Sequence, residues 1–409
     1  RDWKEDDSFT FNLTAEDGTP MPKDTEGNDV TSVTVSQKGG TEDGTDVPFG
    51  FGKVTYDTVG KYSYTVTEEN AGQTINGVTY SKNEAKIIVD VSDPGNGQLT
   101  ANIQSYSTIF INEYGASLNL GAAGGLAITK TVTGHALAKE QFEFKVKAVK
   151  TDTATADEAA ELFGFKEGET EVTFKNNEAA ADGQTVTMLK TDTNFTLKNL
   201  GKVYKYEVSE MNDKKPGYTY DDTVYTVELW VTDDGDGTLT LHTKVTDEKG
   251  SVISEETSNE TDQKQTVLAF NNSYAGSGVL DGSANLAGTK KMDGPWEATD
   301  KDLSGFRFTI TGGDEATNAA ITAGTVVLPQ SVTATSDADG NFNFGDITFN
   351  EKGTYKFTVS EVVPAEGDKI PGVAYNAETV TIIVNVTDND DGTLTAALAE
   401  GSQELIFTN

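Results

Sequence analysis

Three residue types recur at matched places along the 409 residues and together suit a covalent reaction that needs no cofactor: a lysine, a glutamate and an asparagine. Lys130 and Lys290 stand in LAITKTVTG and LAGTKKMDG, each four residues before a glycine (Gly134, Gly294) and each 16 residues after a tyrosine (Tyr114, Tyr274). Glu68, Glu210 and Glu361 end the segments GKYSYTVTE, GKVYKYEVSE and GTYKFTVSE, and Asn112, Asn272 and Asn409 lie in IFINEY, AFNNSY and IFTN. A lysine on an alternating strand that must face its core is driven neutral, because an unpaired ammonium is costly to bury. A neutral amine is a nucleophile. Its attack on the asparagine side-chain carbonyl would expel ammonia and leave an amide. A glutamate kept protonated by the same apolar surroundings would polarise that carbonyl and then shuttle protons to the leaving nitrogen. Holding the groups together in a folded core supplies much of the remaining acceleration.

The elements that must position these groups are legible as repeats. Aromatic alternations, SFTFNL at 8–13, QFEFKV at 141–146 and GFRFTI at 305–310, have the period of half-buried strands. The glycine-led segments ending in the three glutamates follow. Then come long hairpins, two alternating runs around VSDPGNGQLT, VTDDGDGTLT and VTDNDDGTLT, and a closing strand. In each closing strand a phenylalanine two residues before the asparagine shares its face, so a buried ring implies a buried amide. Lys291 would point away from Lys290 on a strand, and the spacing to Gly294 selects Lys290.

The linkers GASLNLGAAGG and AGSGVLDGSAN read as short, partly flexible joints. Boundaries near 118 and 280 follow, giving modules 1–118, 119–279 and 280–409. The fold class is all-β, three tandem β-sandwiches. The middle module is longer, since 148–193 inserts extra material in which DEAAELFGF suits one short helix; the insertion reads as surface decoration.

Composition removes several function classes. Sixty-six acidic against 31 basic residues give a formal charge of −35, which repels nucleic acid and anionic lipid alike. No run of 18 apolar residues suits a membrane span, and the opening RDWKEDDSFTF has no signal-peptide layout. The chain therefore reads as a piece of a longer protein, with export and anchoring signals outside it. Cysteine is absent, so disulfides and thiolate metal sites are excluded. The acidic turns at Asp233, Asp234 and Asp236 and at Asp388, Asp390 and Asp391 read as hairpin turns rather than calcium loops, because the twelfth-position glutamate is missing. The two histidines, His135 and His242, form no zinc pattern, and Trp3, Trp230 and Trp296 read as packing residues. No cofactor is expected.

The early T-K followed by glycine, the strand ends YTVTE, YEVSE and FTVSE, the D-G-T-L hairpin and the closing F-x-N, in fixed order over nearly the whole chain, resemble the streptococcal-type pilin isopeptide linkage domains of Gram-positive pilin backbones and long surface adhesins. The resemblance implies Ig-like (CnaB-like) modules, each welding its first strand to its last. It assigns the roles to Lys130, Glu210 and Asn272 in the second module and to Lys290, Glu361 and Asn409 in the third. The first module departs from the pattern: Glu68 and Asn112 are present without their lysine, which is expected upstream of Arg1. The function implied is an extracellular, cell-wall-anchored stalk or shaft segment, not a turnover enzyme. Its partners are neighbouring repeats of the parent protein, and a host ligand would engage parts outside this segment. The alternative is a ligand-binding adhesin region, which an exposed aromatic patch on the 148–193 insertion would favour.

Overall fold

The computed structural model describes the chain except residues 2, 5, 6, 37–43, 45, 106–108, 182–184 and 295–301 and the side chains of 105 and 185–189. It contains three successive all-β modules, each with its own hydrophobic core. The alternating segments become strands because every second side chain can leave water. In Ser8–Ala15, for instance, Phe9, Phe11 and Leu13 are buried while their neighbours are not. Its counterparts are Glu143–Val149 and Arg307–Gly312.

The glycine-led strands Gly60–Glu68, Tyr204–Glu210 and Gly353–Glu361 pair antiparallel with these aromatic strands in one common register. In each module the second phenylalanine of the F-x-F pair stands opposite the glutamate: Phe11 opposite Glu68, Phe144 opposite Glu210 and Phe308 opposite Glu361. The long hairpin completes this layer, as in Val224–Asp233 with Leu239–Thr246 and Thr379–Asp388 with Leu394–Leu398.

In the second and third modules the second layer holds the first and last strands side by side. In the second module the opening strand Leu126–Thr133 lies between Thr185–Lys190, antiparallel, and the closing strand Thr266–Tyr274, parallel. In the third, Ala287–Lys291 lies between Asn341–Asn343 and Ile406–Thr408 in the same sense. Parallel neighbours cannot be joined by a tight turn, and here the whole body of the module makes the connection.

Two expectations are corrected by packing. The insertion is not surface decoration: Glu171–Lys175 adds a strand beside the aromatic strand, and Thr185–Lys190 flanks the opening strand. Its helix forms at Ala156–Phe163, started by a Thr155/Glu158 capping box, ended by Gly164 at φ 81°, and anchored by buried Ala159 and Ala160. The linkers are not loose either. Ser117–Asn119 pairs with Asn194–Thr196, and Gly278–Leu280 with Ile347–Phe349, burying Leu118 and Leu280 in the module that follows. A helix at Glu315–Ala323, capped by Asp314 and stopped by Gly324, was not marked by any sequence signal considered above.

Phe270 is fully buried between Phe144 and Tyr225, with ring centroids 5.3 and 5.2 Å away. Phe270→Ala is expected to cost the second module about 3–5 kcal/mol, with the other two unaffected, as read from urea midpoints at NMR resonances assigned to each module.

Candidate functional site

Lys130 sits on the core face of the opening strand between Ile128 and Val132, and neither it nor Lys290 has any solvent exposure. Lys291 points outward, as its parity requires. Each buried amine meets its glutamate: Lys130 Nζ lies 2.8 and 2.9 Å from the two Glu210 carboxylate oxygens, and Lys290 Nζ lies 3.1 Å from Glu361 Oε2. The first phenylalanine of each aromatic pair covers the amine, with Phe142 and Phe306 ring centroids at 4.8 and 4.9 Å. These rings exclude water from the nitrogen and were missed by sequence reasoning, although the F-x-F repeat contained them.

The asparagine completes each cluster from the closing strand. Lys130 stands in register with Phe270, so Asn272 falls two residues on and shares its face; Lys290 and Phe407 set Asn409 in the same way. Asn272 Nδ2 donates to Glu210 Oε1 at 3.0 Å, and Asn409 Nδ2 donates to Glu361 Oε1 at 2.8 Å. The glutamate thus touches both the lysine amine and the asparagine side-chain nitrogen.

The carbonyl has a different partner from the one expected. Asn272 Oδ1 accepts from the Asp221 backbone N–H at 2.8 Å, and Asn409 Oδ1 from the Asn376 N–H at 2.7 Å. A backbone N–H can only donate, which fixes the amide orientation. The carbonyl oxygen is thus met by the main chain, and the glutamate meets the amide nitrogen. The signal available in sequence was weak: a tyrosine followed by Ser81, Asp221 or Asn376 at the start of each hairpin block.

Burial pushes the Lys130 amine down and the Glu210 carboxyl up, each against the other's opposing charge. Burial likewise lowers Lys290. In the second module these directions favour the neutral pair, a free amine beside a carboxylic acid.

The first module holds the same geometry without an amine. Asn112 Nδ2 donates to Glu68 Oε1 at 2.6 Å, and the Ser81 N–H lies 2.8 Å from Asn112 Oδ1 and 2.9 Å from Glu68 Oε2. Phe110 packs against the core here, and the described residues place no strand alongside 109–112. An apolar cleft of about 1260 Å³, lined by Phe9, Phe11, Val66 and Phe110 among others, borders this position.

The other sequence candidates are placed less eventfully. Trp3 meets Phe9 edge-on at 4.9 Å, Trp230 stacks on His242 at 5.1 Å, and Trp296 lies outside the described residues. Among the described residues of 148–193 the large apolar side chains are buried or, like Leu162, Phe163 and Phe165, half-buried against the core. No helix among them is long and apolar enough to cross a membrane.

An amide on the last strand paired with an acid from the facing layer, met in two modules of three by a buried lysine on the first strand, defines an isopeptide-type β-module. The chain belongs to the family described as FctA, Spy0128-like isopeptide containing domain, whose model matches residues 2–115, 126–275 and 286–409. No curated protein matches it. Among solved structures, it is similar to the major pilin protein T-13 of Streptococcus pyogenes at 16% identity, covering 72% of this chain and 99% of that one with a TM-score of 0.28. The pilus backbone RrgB of Streptococcus pneumoniae matches at 13% identity over 98% of this chain and 89% of that one, with a TM-score of 0.15. The shaft pilin SpaA of Lactobacillus rhamnosus GG, in a double-mutant form, matches at 14% identity over 72% and 98%, with a TM-score of 0.14.

Burial raises the Glu68 carboxyl above its ordinary value, against the hydrogen bonds from Asn112 and Ser81. The unfolded carboxyl ionises near pH 4.3, about the model-peptide value, and the folded one only at higher pH. Between the two values the unfolded chain has released a proton that the folded chain keeps. The first module is therefore expected to lose stability as pH rises through that window and to level off above it. Glu68→Ala should remove this part of the decline, as read from urea midpoints at the resonances of residues 60–68; an unchanged slope would assign the decline to other groups.

Proposed function

We propose that the chain is a load-bearing stalk or shaft segment of a Gram-positive surface pilus or adhesin, stabilised by self-formed amide bonds joining Lys130 to Asn272 and Lys290 to Asn409. The observation that carries this reading is the buried lysine–glutamate–asparagine cluster bridging parallel first and last strands, built twice from equivalent residues. A stalk role is of the kind the compared pilins are named for; the argument for it here is the load path. The module boundaries proposed with it remain 1–118, 119–279 and 280–409.

The reaction follows from the contacts. The neutral Lys130 amine attacks Cγ of Asn272, forming the new C–N bond. Negative charge gathers on Oδ1, where the Asp221 N–H already donates. Glu210 delivers its proton to Nδ2 and takes one from the attacking nitrogen, so that the old C–N bond breaks and ammonia leaves. Lysine and asparagine become one secondary amide, and the acid ends protonated as it began. In the third module Lys290, Glu361, Asn409 and the Asn376 N–H take the same parts. Each site reacts once, so the protein is structural and not a turnover enzyme.

Pulling on a row of such modules loads the first and last strands of each. A covalent bond between those strands carries tension past the hydrogen-bonded body of the module. By analogy with a disulfide, closing a loop of about 140 residues stabilises by roughly 5 kcal/mol in the chain-entropy model, and reduction cannot undo it.

The denatured chain is expected to weigh about 34 Da less than its sequence mass, about 17 Da for each ammonia lost, with peptides joined between Lys130 and Asn272 and between Lys290 and Asn409. Glu210→Ala should halve the deficit to about 17 Da and lower the melting point of the second module by about 10 °C or more. A full sequence mass for the unaltered protein, or an undiminished deficit in Glu210→Ala, would defeat the assignment.

A further inference from the structure

The two joints between modules are built alike, from residues that play no part in the cross-link. Tyr114 and Tyr274 lie two residues beyond Asn112 and Asn272 on the closing strands. Each donates its hydroxyl to the first aspartate of the next module's hairpin: Tyr114 to Asp233 Oδ1 at 2.6 Å and Tyr274 to Asp388 Oδ1 at 2.8 Å. Each phenol oxygen in turn accepts from the hairpin glycine, from the Gly237 N–H at 3.2 Å and the Gly392 N–H at 3.1 Å. Burial and the facing aspartate push both phenols up to about 12, so they stay protonated and able to donate.

Glycine is needed on both sides of the contact. A Cβ on Gly77 would lie 2.5 Å from Gly237 Cα, and one on Gly217 would lie 2.8 Å from Gly392 Cα. Backbone therefore meets backbone, extended by bridges between Ser117 and Thr238 and between Ser277 and Thr393. At the second joint His135 adds a contact to Asp390 Oδ1 at 3.0 Å, where the first has Arg1 over the Tyr114 ring at 4.6 Å. The tyrosine, the aspartate and the two glycines are common to both joints; the basic residue is not.

The first module carries the same hairpin, and among the described residues no tyrosine sits on it. Asp93 Oδ1 accepts from the Gly95 N–H at 2.7 Å, as Asp233 does from Gly235 at 2.8 Å and Asp388 from Asp390 at 2.9 Å. Gly97 has φ 83°, against 93° and 81° at Gly237 and Gly392. Asp93 and Gly97 are exposed, and a Cβ on Gly97 would meet nothing within 4 Å. We propose that the 93–97 hairpin is a docking surface for another module of this kind, with Asp93 and the Gly97 N–H receiving a tyrosine hydroxyl presented beside a glycine turn. Matching the partner, Gly372 of the third module has φ 83°, like Gly77 and Gly217 at 77° and 81°, and a Cβ there would also meet nothing. Modules thus couple through a shared contact in which tyrosine is the plug and the hairpin the socket.

Two measurements test this independently of the cross-link. Appending Ser-Tyr-Ala after Asn409, a copy of residues 273–275, gives the third module the phenol that matches Gly372. At about 1 mM, the effective concentration a short linker supplies, this extended chain is expected to shift the Gly97 and Gln98 amide signals of the labelled 409-residue protein saturably. Asp93→Ala and Gly97→Val should abolish the shifts, and the unextended chain should cause none. Unmoved signals, or equal shifts from the unextended chain, overturn the proposal. In the protein as it stands, Tyr274→Phe should speed hydrogen exchange at the Gly392 amide at least tenfold while leaving Val384 protected. Unchanged exchange at Gly392 would show that the phenol does not hold the hairpin, and would overturn it equally.

Discussion

A lysine amine buried without exposure beside a carboxyl group is the constraint around which the rest of the second and third modules is arranged. Burying two charges is costly even when they pair, and hydrophobic replacements of similar volume are often as stable or more so. The arrangement is therefore poorly explained as ordinary stabilisation. In the second module the same burial that opposes the ions favours the free amine and the carboxylic acid, the forms the proposed reaction needs. The aromatic strand supplies the ring that keeps water away, and the glutamate strand ends where its carboxyl reaches both partners. The closing strand must lie parallel to the opening one for the asparagine to share the lysine's face.

Much of this was legible in the sequence because it was written more than once. Single lysines, glutamates and asparagines are uninformative, but their recurrence in fixed order around F-x-F and F-x-N alternations settled the strands and the face each residue takes. Parity sets Lys290 and Lys291 on opposite faces and the spacing to Gly294 selects Lys290, and the structure buries the former and exposes the latter. The hydrogen-bond donors to the asparagine carbonyls were not legible. Ser81, Asp221 and Asn376 act through the backbone N–H, and a backbone group leaves no mark in side-chain pattern.

Packing between distant segments accounts for the remaining misreadings. Polar, glycine-rich stretches such as GASLNLGAAGG suggest freedom, yet Leu118 finds a core to enter and the backbone around it finds an edge to pair with. The insertion looked peripheral because its strands are short and separated by loops, and only their long-range partners show that they belong to the sheets. The acidic turns read as simple reversals because their second use, accepting a tyrosine from the preceding module, involves a residue more than a hundred positions away.

The parallel pairing of first and last strands also bears on damage. With Lys130 and Asn272 joined, residues 131–271 become a closed ring hanging from the main line of the chain. A protease that cuts within it, at the exposed Asn212–Lys214 stretch for example, opens the ring without severing the line, since the two halves stay bound through the amide. Nearly all of the module's surface loops lie inside that ring. A stalk assembled from such units would tolerate one cut per module and lose none of its length.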